Sequence, residues 1–273
     1  MLAFSFSFPA TAWALTGFGA WSVVGLRGSV AALIAAAALL VARARWPSRS
    51  DWAALAVVAG GCAVGFPLLT TLALQTSSTA HSAVVIGALP MATAAFAALR
   101  TGHRPSRLFW AAATAGAVII VGFTLTQDHG RPTVADLYLF AALLICAAGY
   151  AEGGGLARRM PGWQVIAWAI VLAAPVNLAL AAVALPREPV HLTAHALLGL
   201  AYIAAISQFG GFVLWYRGMG LIGVARASQL QLAQPLLTLV WAVLLLGEHL
   251  TLAVPLTAVA VLTCIAITQR ARA

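Results

Sequence analysis

The sequence predicts an all-α integral membrane protein: ten transmembrane helices in two inverted five-helix repeats, with the N- and C-termini cytoplasmic. Three observations carry this. The 273 residues are 63% hydrophobic and only 8% charged, whereas a soluble domain carries roughly a quarter charged residues. Apolar runs of about 20 residues, the length of a membrane-crossing helix, recur along the whole chain. An internal repeat then joins the fourth of these runs to the ninth.

The runs cover residues 3–21, 24–42, 52–73, 80–99, 107–126, 136–156, 163–184, 194–216, 225–246 and 252–269. Short connections make neighbours antiparallel. The alternating ten-residue strands of an outer-membrane barrel are absent. The first run, "LAFSFSFPATAWALTGFGAW", is polar-flecked and holds Pro9. No basic residue precedes Arg27, so the run reads as a spanning helix rather than a secretory signal.

All fifteen basic residues are arginines. With the N-terminus inside, twelve fall in cytoplasmic segments, and only Arg27, Arg131 and Arg187 fall outside. That asymmetry is the positive-inside signature, and it fixes both termini in the cytoplasm of a multi-pass protein of the bacterial inner (plasma) membrane. Trp46, Trp52, Trp110, Trp163 and Trp215 sit beside the cytoplasmic loops, as an interfacial belt requires. The formal charge of +9 is spread between apolar runs with no basic, aromatic-interleaved face, which argues against nucleic acid. Cys62, Cys146 and Cys264 each lie inside an apolar run and read as buried small hydrophobes. No cofactor or metal motif is present, and the oligomeric state has no sequence signal.

"AHSAVVIGALPMATAAFAALRTGHRPS" from Ala80 aligns without a gap on "ARASQLQLAQPLLTLVWAVLLLGEHLT" from Ala225, an offset of 145. Pro90 meets Pro235, Gly102 meets Gly247, and Ser106 meets Thr251. Because five spans separate the two copies, the second half is inverted relative to the first, a common transporter plan with its site at the repeat interface.

The "LLLGEHLT" turn after a Gln-Pro helix, the last apolar helix with its basic tail, and "GLRGSVAALIAAAALL" in the second span resemble the EamA family of the drug/metabolite transporter superfamily. The resemblance extends over essentially the whole chain. It implies EamA-like five-helix repeats over residues 1–127 and 133–273, and a central cavity lined by spans 1, 3, 4, 6, 8 and 9. It further implies export of a metabolite, in many members an amino acid. The first span departs from the pattern: "SFSFPATAW" stands where many relatives have a Trp-Gly pair.

In "SQLQLAQP", Ser228, Gln231, Pro235 and Thr238 share one helical face, with Gln234 at its edge. Polar groups in hydrocarbon must face protein or a wet cavity. These amides therefore either bond neighbouring helices or line a solute cavity, and three glutamines beside a proline favour the cavity. Pro235 also removes the hydrogen bond to the carbonyl of Gln231. Glu152, in "GYAEGGGLARR", reads as the one carboxylate inside a span. It is a proton-coupling group, a partner for a substrate amine, or the ion-pair partner of Arg158 or Arg159. Tyr150, Glu152, Gln231 and Gln234 form the best constellation. Gln208 in span eight is a further cavity candidate. His81 either contacts solute or closes the start of span four. Asn177 beside Pro175 reads as packing or a kink, and Gly60-Gly61 and Gly210-Gly211 as close helix contacts. Glu248 and His249 read as a turn leading to Thr251 as helix cap.

The function that fits is a secondary transporter exporting a small polar metabolite by alternating access, with a small-molecule substrate and membrane lipid as its partners. An intramembrane enzyme would need a nucleophile–base pair or metal cluster in the spans, and no such motif occurs. A non-transporting subunit or receptor fits the lack of a large soluble domain but gives no reason for the line of glutamines.

Overall fold

The computed structural model describes residues 1–101, 106–127, 133–222, 231 and 233–270. Regular structure among them is helical, apart from one isolated antiparallel bridge between Phe18 and Val190. The helices are α1 (Leu2–Ser5), α2 (Ser7–Leu15), α3 (Ala20–Val41), α4 (Trp52–Val58), α5 (Phe66–Ala73), α6 (Thr79–Ile86), α7 (Leu89–Thr101), α8 (Arg107–Gln127), α9 (Val134–Leu156), α10 (Gly162–Ala184), α11 (Ala194–Ala201), α12 (Gly211–Ile222), α13 (Ala233–Leu246) and α14 (Ala253–Arg270). Wider π-type turns over Ala59–Gly65 and Tyr202–Gly210 join α4 to α5 and α11 to α12.

Six stretches, 20–41, 52–73, 79–100, 134–156, 162–184 and 194–221, are long and apolar enough to cross a membrane, and apolar helices over 2–15, 107–123, 233–246 and 253–267 are shorter. All lie within the runs read from the sequence or overrun them by a few residues. Ser228 and Gln229 lie outside the described residues. Large apolar side chains such as Leu33, Leu40, Leu214 and Leu244 stand exposed. That is the expected outer surface where hydrocarbon is the solvent.

Caps explain the starts. Thr133 and Asp136 form a reciprocal capping box at α9. The Ser78 hydroxyl accepts from the His81 N–H at α6, and the Thr193 hydroxyl from the Ala196 N–H at α11. Two caps come from far along the chain. The Glu248 carboxylate accepts from the Thr79 and Ala80 N–H groups (2.8 and 2.9 Å). That of Glu188 accepts from Ser22 (2.7 Å) and Trp21 (3.3 Å) at the start of α3. Glu248 is thus more than part of a turn: it caps α6. Gly247 beside it takes φ +65, a value glycine adopts without strain.

Small residues set the closest packing. On α3, Gly25 lies against the Ala181 backbone of α10, and Gly28 against the Asn177 side chain, with no room for a Cβ at either place. Two expectations are corrected here. Arg27 is not in an outer loop: it lies two turns inside α3 and is 5% exposed. Trp215 is not interfacial: it is buried against Phe4 and Tyr150.

Candidate functional site

Pro90 and Pro235 frame the site. α6 stops at Ile86 and α7 resumes at Leu89. Pro90 has no N–H to offer the Ile86 carbonyl, so the helix yields at Gly87-Ala88. Pro235 likewise leaves the Gln231 carbonyl without its usual donor. The Gln234 N–H takes that carbonyl at 3.0 Å, so it is not left free as the sequence suggests. Pro9 in α2 frees the Ser5 carbonyl, and there the Thr238 hydroxyl of α13 donates at 2.9 Å. The Trp241 indole N–H adds a bond to the Ser5 hydroxyl at 3.0 Å. The first segment is therefore tied to α13 through the carbonyl its own proline vacates.

A cleft lies beside Pro90 and Pro235. It is lined by Phe8, Ala83, Ile86, Gly87, Leu89, Pro90, Gln231, Gln234, Pro235 and Thr238. Its cavity volume is only about 10 Å³. That is the room one water needs, so the cleft is nearly closed in this conformation. Gln231 is 2% exposed, and among the described residues neither its amide oxygen nor its amide nitrogen has a hydrogen-bond partner. A buried amide left in this state is costly, by about 1–3 kcal/mol per group.

The predicted constellation is only partly gathered. Gln231 and Gln234 line the cleft, while Tyr150 and Glu152 do not. Tyr150 is buried among Phe212 and Trp215, with ring centroids 5.9 and 5.8 Å away. Glu152 pairs with Arg100 at 2.6 Å rather than with Arg158 or Arg159, and Arg159 instead meets Asp51 at 3.1 Å. Gln208 is buried, and its amide nitrogen donates to the Ala63 carbonyl at 3.1 Å. Asn177 is buried, and its amide nitrogen donates to the Ala173 carbonyl at 3.2 Å.

His81 has a partner the sequence reading passed over. Its Nε2 lies 2.7 Å from the Asp136 carboxylate, and both side chains are buried. The His81 ring stacks on Phe123. Glu152 is therefore not the only carboxylate within the spans. The signal for Asp136 was legible: Thr133 followed three residues later by an acid is a capping pattern at a span boundary. The two pairs, His81–Asp136 and Arg100–Glu152, join α6–α7 to α9 near both ends. Both follow chain order, so these helices run parallel. From residue 136 to 152 an α-helix rises about 24 Å, most of the hydrocarbon thickness.

A second polar group lies behind the first helix. The Ser7 and Ser207 hydroxyls are 2.7 Å apart, and Arg27 Nη2 donates to Ser207 at 3.3 Å.

Comparison with known proteins agrees with this architecture. The chain is 42% identical over 270 residues to the uncharacterized transporter YdeK of Bacillus subtilis (strain 168), covering 99% of this chain and 94% of that one. A solved crystal structure of a protein, 20% identical, shares the fold with a TM-score of 0.66 over 97% of this chain and 92% of its own. The model of the EamA-like transporter family matches residues 1–125 and 133–269. With 262 of 273 positions inside those two matches, this multi-pass membrane chain belongs to the EamA-like transporter family.

Proposed function

We propose that the protein is a secondary transporter that exports a small polar metabolite across the bacterial inner membrane by alternating access. The observation that carries this is Gln231: a buried amide without partners among the described residues, facing a narrow cleft lined by Pro90 and Pro235. Such a group is poorly suited to a structural role. It suits a solute that completes its hydrogen bonds when the cleft widens. Discontinuous helices at a repeat interface are where transporters place such sites.

We read the chain as ten spans with both termini cytoplasmic, in two inverted halves of five. Contacts between equivalent positions support the halves. Pro90 and Pro235, 145 residues apart, line the same cleft. Ala63 and Gln208, separated by the same 145, share a hydrogen bond. Residues related by an internal two-fold meet each other only near its axis, so the cleft and this bond would both lie there. We assign solute contact to Gln231 and Gln234, and supporting roles to Tyr150, Gln208 and His81. Glu152, paired with the exposed Arg100, is the candidate for proton coupling.

The test is an extracellular metabolite profile of cells expressing the wild type or Gln231→Leu at equal membrane abundance. Solutes that accumulate only with the wild type name the substrate and support the cleft. Equal accumulation removes Gln231 from the site. If Glu152→Gln leaves both export and its pH dependence unchanged, the coupling role is wrong.

A further inference from the structure

Among the described residues Arg27 is a cation without a counter-ion. Its side chain is inside α3, 5% exposed, and cannot reach water in the way that arginines near helix ends do. A guanidinium stays charged and carries five N–H donors. Among the described residues Arg27 makes one hydrogen bond, the 3.3 Å contact to the Ser207 hydroxyl, and its Nε has no partner. A charge buried in a membrane protein is ordinarily paired.

The chain has six carboxylates. Asp51 meets Arg159, Asp136 meets His81, and Glu152 meets Arg100. Glu188 and Glu248 are engaged by backbone N–H groups at the starts of α3 and α6. Asp128 lies outside the described residues. All five described carboxylates are therefore committed, and none forms an ion pair with Arg27.

The position ties this cation to the cleft. Ser7, bonded to the Ser207 that Arg27 contacts, precedes Phe8, which lines the cleft beside Gln231. The two features lie on adjacent faces of one turn of α2. Pro9 leaves the Ser5 carbonyl without its helical donor, so the helix lacks one of its own bonds beside this turn.

We propose that Arg27 is the receptor for a carboxylate on the transported solute, reached when the Ser7–Ser207 contact opens. This rests on the transporter reading above. The planar fork of a guanidinium matches a carboxylate with two parallel hydrogen bonds, and a single cation matches a single negative charge. Amines, neutral sugars and purines do not supply that charge.

Purified protein in liposomes tests it. The vesicles are loaded with a mixture of small amino, hydroxy and keto acids together with the primary amide of each, and efflux is followed by mass spectrometry against protein-free vesicles. The wild type should release at least one acid on the order of tenfold or more faster than its amide, because a site built around a charge rejects the analogue lacking it. Arg27→Gln, checked for unchanged gel-filtration and melting behaviour, should lose that acid efflux by a similar factor, and Arg27→Lys should fall between. Efflux of each amide at the rate of its acid overturns the proposal, as does Arg27→Gln retaining acid efflux at the wild-type rate. If Arg27→Gln does not fold, the wild-type ratio of acid to amide decides alone. No solute leaving faster than from protein-free vesicles removes the transporter reading itself, a result distinct from indifference to the carboxylate.

Discussion

Removing the carboxylate of Glu248 should loosen the start of α6, and the cost follows from the bonds it makes. A helix begins with N–H groups that have no partner of their own. At α6, Ser78 takes the N–H of His81, and Glu248 takes those of Thr79 and Ala80. Thr79 and Ala80 are 2% and 3% exposed, so solvent cannot readily replace the lost acceptor. The negative charge also sits at the positive end of the helix dipole. A hydrogen bond to a charged group contributes about 1.5–3 kcal/mol, and loss of a capping side chain costs about 0.5–2 kcal/mol. Glu248 is itself only half-buried, and water admitted by its loss recovers part of this. We expect Glu248→Ala to cost about 2–3 kcal/mol, and Glu248→Gln, which keeps one acceptor, about 1 kcal/mol. Glu188 does the same for α3 with one short and one long bond, and Trp21 there is 42% exposed. Glu188→Ala should therefore cost about half as much. At roughly 2–4 °C per kcal/mol for a chain of this size, the melting temperature in detergent should fall by about 4–12 °C for Glu248→Ala. A shift of about 1 °C or less, or a larger shift for Glu188→Ala, would refute the assignment of these carboxylates as caps.

Gln231→Leu should raise the melting temperature slightly while abolishing export, because it removes a buried amide that has no partner among the described residues; a destabilised variant would mean that Gln231 has a structural bond. Gly28→Leu drives its side chain into Asn177 at the α3–α10 contact and should cost about 1–3 kcal/mol or more, read as lost membrane abundance. Gly60→Ala is the control, since nothing lies within 4 Å of a Cβ there. Asp136→Ala leaves His81 buried without its partner and removes half of a capping box, so it should cost about 3–5 kcal/mol, with Asp136→Asn clearly milder on the same melting scale.

What the sequence revealed is what depends on near neighbours. Hydropathy is a local sum, and the described helices lie within the runs or overrun them by a few residues. Pro235 foretold that the Gln231 carbonyl loses its usual donor, because a proline offers no N–H to the residue four positions back. Long-range pairing was not legible. The acceptors for the starts of α3 and α6 lie 166 to 169 residues away in sequence. Glu152 had two arginines just downstream, yet its partner is Arg100, 52 residues distant. Arg27 was misplaced because loop counting assumes that charges lie between spans, and this one is held within a span by its neighbours. Trp215 was misplaced for the opposite reason: its nearness to a loop in sequence hid the packing of α12 against α1 and α9.

The ties in this conformation constrain how the cleft can widen. Glu248, just past the end of α13, is bonded to the start of α6. α6–α7 is joined to α9 near both ends. α13 in turn carries the first segment through Ser5. A motion that keeps these bonds leaves α6, α7 and α9 as one body, and α13 with α1 as another, pivoting where Glu248 holds them together. The cleft residues Gln231, Gln234 and Thr238 then separate from Ile86 and Pro90 with the greatest displacement at the end of α13 farthest from Glu248, where Gln231 lies. Opening at the Glu248 end requires those bonds to break. The cap that stabilises α6 is then also the contact that keeps α6 and the end of α13 together.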